Sequence, residues 1–318
     1  MAISKSLILG ILGCLCFCSS VPATRELSDD FSMGHSRRAG CVGFIESFNT
    51  ENHKFYLGIN QFTELTNEEF KSTTANKGYK TSLERVPTGF MYENVSFDAL
   101  LATVDWRPKV QPLPSRIRAN VCIVKLKTGK LISLSEQELV DCDVHGEDQG
   151  CEGRLMDDAF NFIIKNGGLT TESNYPYTSE YDKCNSGTNG AATIQSYEDV
   201  PANNEGALMQ VVASQHVSVA LDGGDMTFQF YKGRVMTGSC GTDLDHGIAA
   251  IGYGKTNNYT KYWLLKNSRG TTWGENGYLR TEKDIPDKIG MCGLRWSLLT
   301  PLHRRASSGT YVRMHMIN

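Results

Sequence analysis

The sequence predicts an α+β protein in two lobes, one mainly helical and one mainly sheet. Its 318 residues are 40% hydrophobic and 9% aromatic, enough to bury more than one core. Helical spacing governs the apolar residues before about position 197, and short apolar runs between glycine-rich turns govern those after it. Helices first and strands second is the pattern of segregated α and β layers. Lys and Arg total 32 against 35 Asp and Glu, a net charge of −3. That balance offers no field for nucleic acid or an anionic membrane surface, so neither partner is expected.

The chain opens, over residues 1–23, like a secretory signal peptide. Lys5 gives a positive start, Leu7 to Phe17 an apolar run, and Val21-Pro22-Ala23 a small-residue cleavage site. The run is far shorter than the ~20 residues that span a bilayer. Two glycosylation sequons, at Asn94 and Asn258, fit a secreted chain. In that oxidising setting seven cysteines remain after the leader: Cys41, Cys122, Cys142, Cys151, Cys184, Cys240 and Cys292.

Residues 24–100 are polar and charged, with one organised part. Leu57, Ile59, Phe62, Leu65 and Phe70 surround Thr66-Asn67-Glu68-Glu69, a capping box that opens a short helix. Lys71 to Thr88 looks like linker. Within 101–196, Ser135-Glu136-Gln137-Glu138 is a second capping box, and Leu155, Ala159, Phe160, Ile163 and Ile164 recur at helical spacing before Gly167-Gly168. In the β lobe, 197–300, a helix is expected over Asn204 to Ala213. Strands are expected at Val217–Leu221, Ile248–Ile251, Tyr262–Leu265 and Tyr278–Arg280. Arg295 to Asn318, with Arg304-Arg305, reads as an exposed, solvated tail, set apart as atypical over 301–318.

His246 stands at the entrance of an apolar strand, next to Gly247. Asn267 ends the apolar run that would pair beside it in a hairpin. An amide oxygen accepting from one ring nitrogen fixes the imidazole's tautomer, leaving the other nitrogen to exchange a proton with a nucleophile. On residue types, Cys142, His145 and Cys151 could hold zinc, but an oxidising compartment favours disulfides, so no metal or other cofactor is expected.

Several motifs together point further. Asp245-His246-Gly247, Lys266-Asn267-Ser268, Leu134 to Cys142 with its Ser-Glu-Gln-Glu core, and Gly150-Cys151-Glu152-Gly153 resemble the papain-like cysteine peptidases, closest to the plant vacuolar and senescence-associated branch. Phe55 to Phe70 is similar to that family's inhibitory propeptide. The resemblance implies a papain-like two-lobe fold, a helical lobe against an antiparallel barrel-like lobe, preceded by a propeptide over 24–100. It implies a monomeric precursor in a vacuole-like or extracellular compartment, acting on proteins or peptides. His246 then matches the general acid and base, Asn267 its orienting residue, and Trp273 an aromatic beside the site. Leu155, Met156, Ala220 and Gly247 match the substrate pocket, and Cys142–Cys184 and Cys240–Cys292 match two disulfides.

The same resemblance marks departures. The family's nucleophile lies roughly 130 to 150 residues before the histidine, which here means about 96 to 116. No cysteine stands between Cys41 and Cys122. The stretch between Trp106 and Leu126 is about a dozen residues shorter than the family's glutamine turn, Cys-Trp pair and central helix, so that helix is expected to be truncated. Cys122 would register near the helix C-terminus, where the dipole opposes a thiolate. Arg269 replaces a tryptophan that shields the His–Asn pair, Arg154 a glycine, and His216 a proline. A protease precursor is therefore expected that is inactive as written. The alternatives are a non-catalytic relative and a propeptide-type protease inhibitor.

Overall fold

Reciprocal capping begins the helix that the sequence marks most clearly. Thr66 Oγ1 accepts from Glu69 N at 3.2 Å and Glu69 Oε2 accepts from Thr66 N at 3.0 Å, which satisfies two N–H groups at the start of α2 (Asn67–Thr74). The computed structural model describes residues 27–74, 90–110, 133–144, 156–178, 180–185, 190–238, 240–287, 290–294 and 298–302. The leader-like 1–23, Cys122, Cys151, Arg154, Leu155 and most of the stretch where a truncated central helix is expected lie outside them.

Ahead of α2 stand α1 (Leu27–Thr50) and β1 (Phe55–Leu57). Sequence pattern alone did not mark α1, because its residues give no helical stripe. After the linker come β2 (Val104–Asp105), α3 (Arg107–Val110), α4 (Gln137–Cys142) and α5 (Met156–Lys165). Gly167 and Gly168, at φ 74° and 124°, end α5 in a conformation that a Cβ would strain. The second capping box is half made: Ser135 Oγ accepts from Glu138 N at 2.9 Å. The Glu138 carboxylate turns away to accept from Thr170 N and Asn166 Nδ2, at 2.7 and 3.0 Å.

The β lobe follows the expected order. β3 (Ser196–Asp199) leads to α6 (Glu205–Val212), capped by Asn204 Oδ1 on Ala207 N. Then come β4 (Val217–Leu221), α7 (Met226–Gln229), β5 (Tyr231–Met236), β6 (His246–Lys255), β7 (Lys261–Lys266), β8 (Tyr278–Glu282) and β9 (Leu298–Leu302). Nine strands among the described residues form one sheet in the order β1-β5-β8-β7-β6-β4-β9-β3, with β2 also on β6.

Two expectations need correction. The lobe is not a uniformly antiparallel barrel: β5 and β8 run parallel, Val235 opposite Arg280, and the described strand path stays open. The crossing from β5 over to β6 starts β6 in the same sense as β5, and the β6-β7-β8 meander then brings β8 back alongside β5. Nor does the exposed tail begin where expected. Leu298 to Leu302 pairs with β3, Ser196 opposite Leu302, and with β4, Val219 opposite Leu298. Its apolar Leu-Leu-Thr-Pro-Leu run suits an inner strand better than a solvated tail.

Residues 27–74 are not a separate unit. Ile45, Phe55, Phe62 and Phe70 bury into the same core as Trp106, Leu208, Phe228 and Trp263, and β1 pairs with the edge of β5. A second, smaller core of Leu134, Phe160, Ile163 and Leu169 belongs to the helical lobe. There, buried polar groups carry much of the order. Glu138→Ala strands the Thr170 N–H and leaves the Asn166 amide with its bond to Gly168 O, and should cost about 2–3 kcal/mol in denaturant unfolding; a loss within 0.5 kcal/mol would mean that water replaces the carboxylate.

Candidate active site

The β6·β7 hairpin assembles the pair that the sequence singles out. Ala249 lies opposite Lys266 and Ala250 opposite Leu265, so His246 at the start of β6 and Asn267 just past β7 end together. His246 Nε2 and Asn267 Oδ1 are 2.9 Å apart and buried. The amide's orientation is fixed independently, because Asn267 Oδ1 also accepts from Ser268 N at 2.8 Å while Asn267 N donates to Gly277 O at 2.9 Å. An oxygen in that place requires Nε2 to donate, so neutral His246 carries its lone pair on Nδ1.

Packing holds the ring from the other sides. Phe228 meets it edge-on, centroids 5.8 Å apart, and Trp273 backs Phe228 at 5.0 Å while donating Nε1–H to Phe228 O at 3.0 Å. Gly223 passes so near that a Cβ there would lie 2.7 Å from His246 Cβ; only glycine lets these two backbones approach. Gly223 N donates to Asp245 Oδ1 at 2.7 Å, tying that loop to the residue before the histidine.

Of the pocket candidates, Ala220 and Gly247 are direct partners across β4 and β6. A Cβ on Gly247 would meet nothing within 4 Å, so this stretch of β6 has an open face. Met156 is partly buried against the helical-lobe core, and Leu155 lies outside the described residues. Cys142 bonds Cys184 and Cys240 bonds Cys292, with Cα separations of 4.7 and 4.9 Å. The first bond removes Cys142 from any zinc set. Asn94 and Asn258 are exposed, and His216 is buried against Trp106 with ring centroids 5.5 Å apart.

Phe228, Gln229 and Gly223 escaped sequence reasoning. They sit around a four-residue helix too short for periodicity, signalled only by its Asp225 cap, whose Oδ1 accepts from Thr227 N at 2.7 Å. Gln229 is fully buried and joins the propeptide to the site: its Nε2 donates to Phe62 O and Leu65 O, both at 3.2 Å, and its Oε1 accepts from Asn67 Nδ2 at 3.1 Å. Asn60 Nδ2 donates to Gln229 O at 2.7 Å and Gln61 Nε2 donates to Arg269 O. The segment 60–70 is thus anchored to both loops that flank the His–Asn pair.

The family model for the papain family cysteine proteases matches residues 115–302. This chain belongs to that family. A senescence-specific cysteine protease of Oryza sativa subsp. indica, SAG39, is 64% identical over 330 aligned positions, 92% of this chain and 97% of the relative. Since 92% of 318 residues is about 293, about 37 of the 330 aligned positions hold a residue of the relative and none of this chain. The Arabidopsis thaliana senescence-specific cysteine protease SAG12 is 52% identical over 76% of this chain and 74% of its own length. Among solved structures, a recombinant stem bromelain precursor is 34% identical with a TM-score of 0.79, covering 89% of this chain and 95% of the other. The proform of the ragweed pollen cysteine protease Amb a 11 has the same TM-score at 31% identity, over 91% of this chain and 84% of that one. Both are precursors, and residues 27–74 hold the place of a prosegment in the same architecture.

Electrostatics beside the pair is set by Asp245. Burial pushes its carboxyl up to about 6; the Gly223 N–H and Arg269 pull against that, and Asp222 and Asp243 add to it. The folded chain therefore keeps a proton that an unfolded Asp, at its ordinary value near 3.9, has already released. Stability from this group is full below about pH 4 and is lost as pH rises through 6. Asp245→Asn keeps an oxygen for Gly223 N–H and removes the ionisation. Relative to the variant, the wild type should lose about 1 kcal/mol between pH 4 and 7, allowing for partial solvent screening; parallel stability curves would assign the pH dependence elsewhere.

Proposed function

We propose that this chain is a cysteine protease precursor carrying an assembled His–Asn half of the machinery without the nucleophile that would use it. The observation that carries the reading is the Nε2···Oδ1 bond of His246 and Asn267, set against a sequence with no cysteine between Cys41 and Cys122. The roughly 37 unmatched positions in the SAG39 alignment are consistent with missing internal segments. In an active relative the base would take the thiol proton, the thiolate would attack the peptide carbonyl, and the imidazolium would return the proton to the leaving amine. Here His246 is the acid and base, Asn267 the orienting residue, and Ala220 with Gly247, joined by Leu155 and Met156, the apolar pocket two residues before the cut. Without the thiolate no acyl-enzyme forms. Cys122, which the family resemblance registers with the end of the central helix, is not expected to replace it, because a helix C-terminus disfavours the anion.

The expected result is no labelling by an epoxide thiol inhibitor and no turnover of a peptide with an apolar residue at the pocket position. Turnover abolished by Cys122→Ala would instead make Cys122 the nucleophile. The compartment we assign is secretory or vacuolar: the leader-like 1–23, two disulfides and the exposed sequon asparagines support it, and an Arabidopsis relative at 43% identity is named a KDEL-tailed endopeptidase. No helix among the described residues is long and apolar enough to cross a membrane.

A second reading, inhibition of active relatives in trans by segment 60–70, is favoured by how that segment binds. Asn60, Gln61 and Asn67 all donate side-chain amides to backbone carbonyls, of Gln229, Arg269 and Gly224, and a backbone acceptor is offered whatever the side chain. Added full-length protein should slow an active senescence-type relative, and Asn60→Ala with Asn67→Ala should weaken that effect about tenfold. Equal inhibition by both forms would remove this reading.

A further inference from the structure

Arg269 is buried, 7% exposed, and its Nε and Nη2 have no hydrogen-bond partner among the described residues. A cation so placed is costly unless something replaces its water. Three aromatic rings do. The guanidinium carbon lies 4.7 Å from the Phe70 ring centre, 5.6 Å from Phe62 and 5.8 Å from Phe228, all within the range in which a ring's quadrupole attracts a cation. Phe62 and Phe70 meet edge to face, centroids 5.2 Å apart, and so form two adjoining walls of one cage.

The walls have different owners. Phe228 belongs to the β lobe and touches His246, whereas Phe62 and Phe70 belong to the prosegment. The cage is complete only while the prosegment is seated. Burial also pushes the guanidinium down to about 9, opposed by Asp245, so it remains protonated at neutral pH and the cage always holds a cation.

We propose that Arg269 is the docking residue for this chain's prosegment: an aromatic-cage latch in which Phe62 and Phe70 close over a cation two residues beyond Asn267. The latch is matched to its own lobe, because an aromatic cage has less to gain from an apolar residue at that position. Gln61 strengthens it from below, its amide donating to the Arg269 carbonyl and accepting from Thr272 Oγ1. The inference rests on residues 27–74 being a prosegment, but not on whether the chain cleaves anything.

Hydrogen exchange on the full chain tests it. The amides of Thr63, Leu65 and Phe70 are hydrogen-bonded within the docked segment, to Asn60 O, Phe62 O and Thr66 O, and report its seating; the β6·β7 ladder reports the lobe. Arg269→Met keeps a long side chain and loses the charge, so the three amides should exchange about tenfold faster or more while the ladder is unmoved. Arg269→Lys should keep most of the protection. Phe70→Leu should loosen the segment similarly in the Arg269 protein and add little in the Arg269→Met background, because the two changes break one interaction. Wild-type or slower exchange in Arg269→Met, equal loosening by Arg269→Lys, or additive effects of the Phe70 and Arg269 changes would each overturn the latch. Should Arg269→Met also lose ladder protection, Phe70→Leu and Arg269→Lys, which keep the lobe's residues or charge, decide alone. Loss of trans inhibition with these amides still protected would fail the second functional reading and leave the latch standing.

Discussion

The register of β6 is the constraint on which the site depends. This strand pairs with β7 along one side, and with β4 and then β2 along the other. Leu221 lies opposite His246 and Ala249 opposite Lys266, so the histidine's height in the sheet is set from both flanks. A slip of one residue would turn every β6 side chain to the opposite face and carry His246 away from Asn267. The pairing with β7 shifts between Ala250 and Gly252, which leaves Ile251 as an extra residue. Its carbonyl accepts from Trp106 N at 3.0 Å, so the irregularity is occupied by the segment that enters from the helical lobe. Gly252 has a matching reason: a Cβ there would sit 2.2 Å from the Val104 carbonyl oxygen.

The prosegment then uses the edges that this sheet leaves. β1 covers the free side of β5, and an uncovered edge would invite pairing with another chain. Beyond it, the segment runs by side-chain amides to backbone carbonyls and by aromatic rings to Arg269. The two kinds of contact divide the work. Amide-to-carbonyl bonds fix the path, while apolar burial of Phe62 and Phe70, each fully or nearly fully buried, supplies the larger share of free energy. Surface ion pairs such as Arg38–Glu64, 3.1 Å apart and exposed, contribute little to either.

Much of this was legible in the sequence, and the parts that were not share a cause. Strands β4, β6, β7 and β8 stand as expected because their apolar runs are bounded by glycines, and α5 and α6 because their spacing and caps agree. The His246–Asn267 pairing was readable from one hairpin, a short-range relation across 21 residues. What sequence could not supply were relations of long range. The parallel β5·β8 pair, the return of β9 to β3, and the Gln229 contacts with Phe62 and Leu65, 167 and 164 residues apart, depend on tertiary packing that leaves no local period. Arg269 was visible as a departure from the family pattern, but two of the three rings around it come from residues about 200 positions earlier.

These relations explain how the His246–Asn267 pair is held without contributions from the helical lobe's core. Contacts within the β lobe place His246 and Asn267: the β4·β6·β7 register, Ser268 N on the amide oxygen, Gly277 O, and the Phe228–Trp273 stack. The helical lobe has its own small core and draws its order from polar anchors. The Cys142–Cys184 bond closes one side, and Asp141 accepts from Gln137 Nε2, Tyr175 Oη and Asp182 N, at 2.7, 2.8 and 2.9 Å. Buried carboxylates of this kind fix position but forgo the apolar area that makes a core tolerant of loss. The helical lobe thus has the smaller apolar reserve, while the lobe that holds the histidine shares its larger core with residues 41–70.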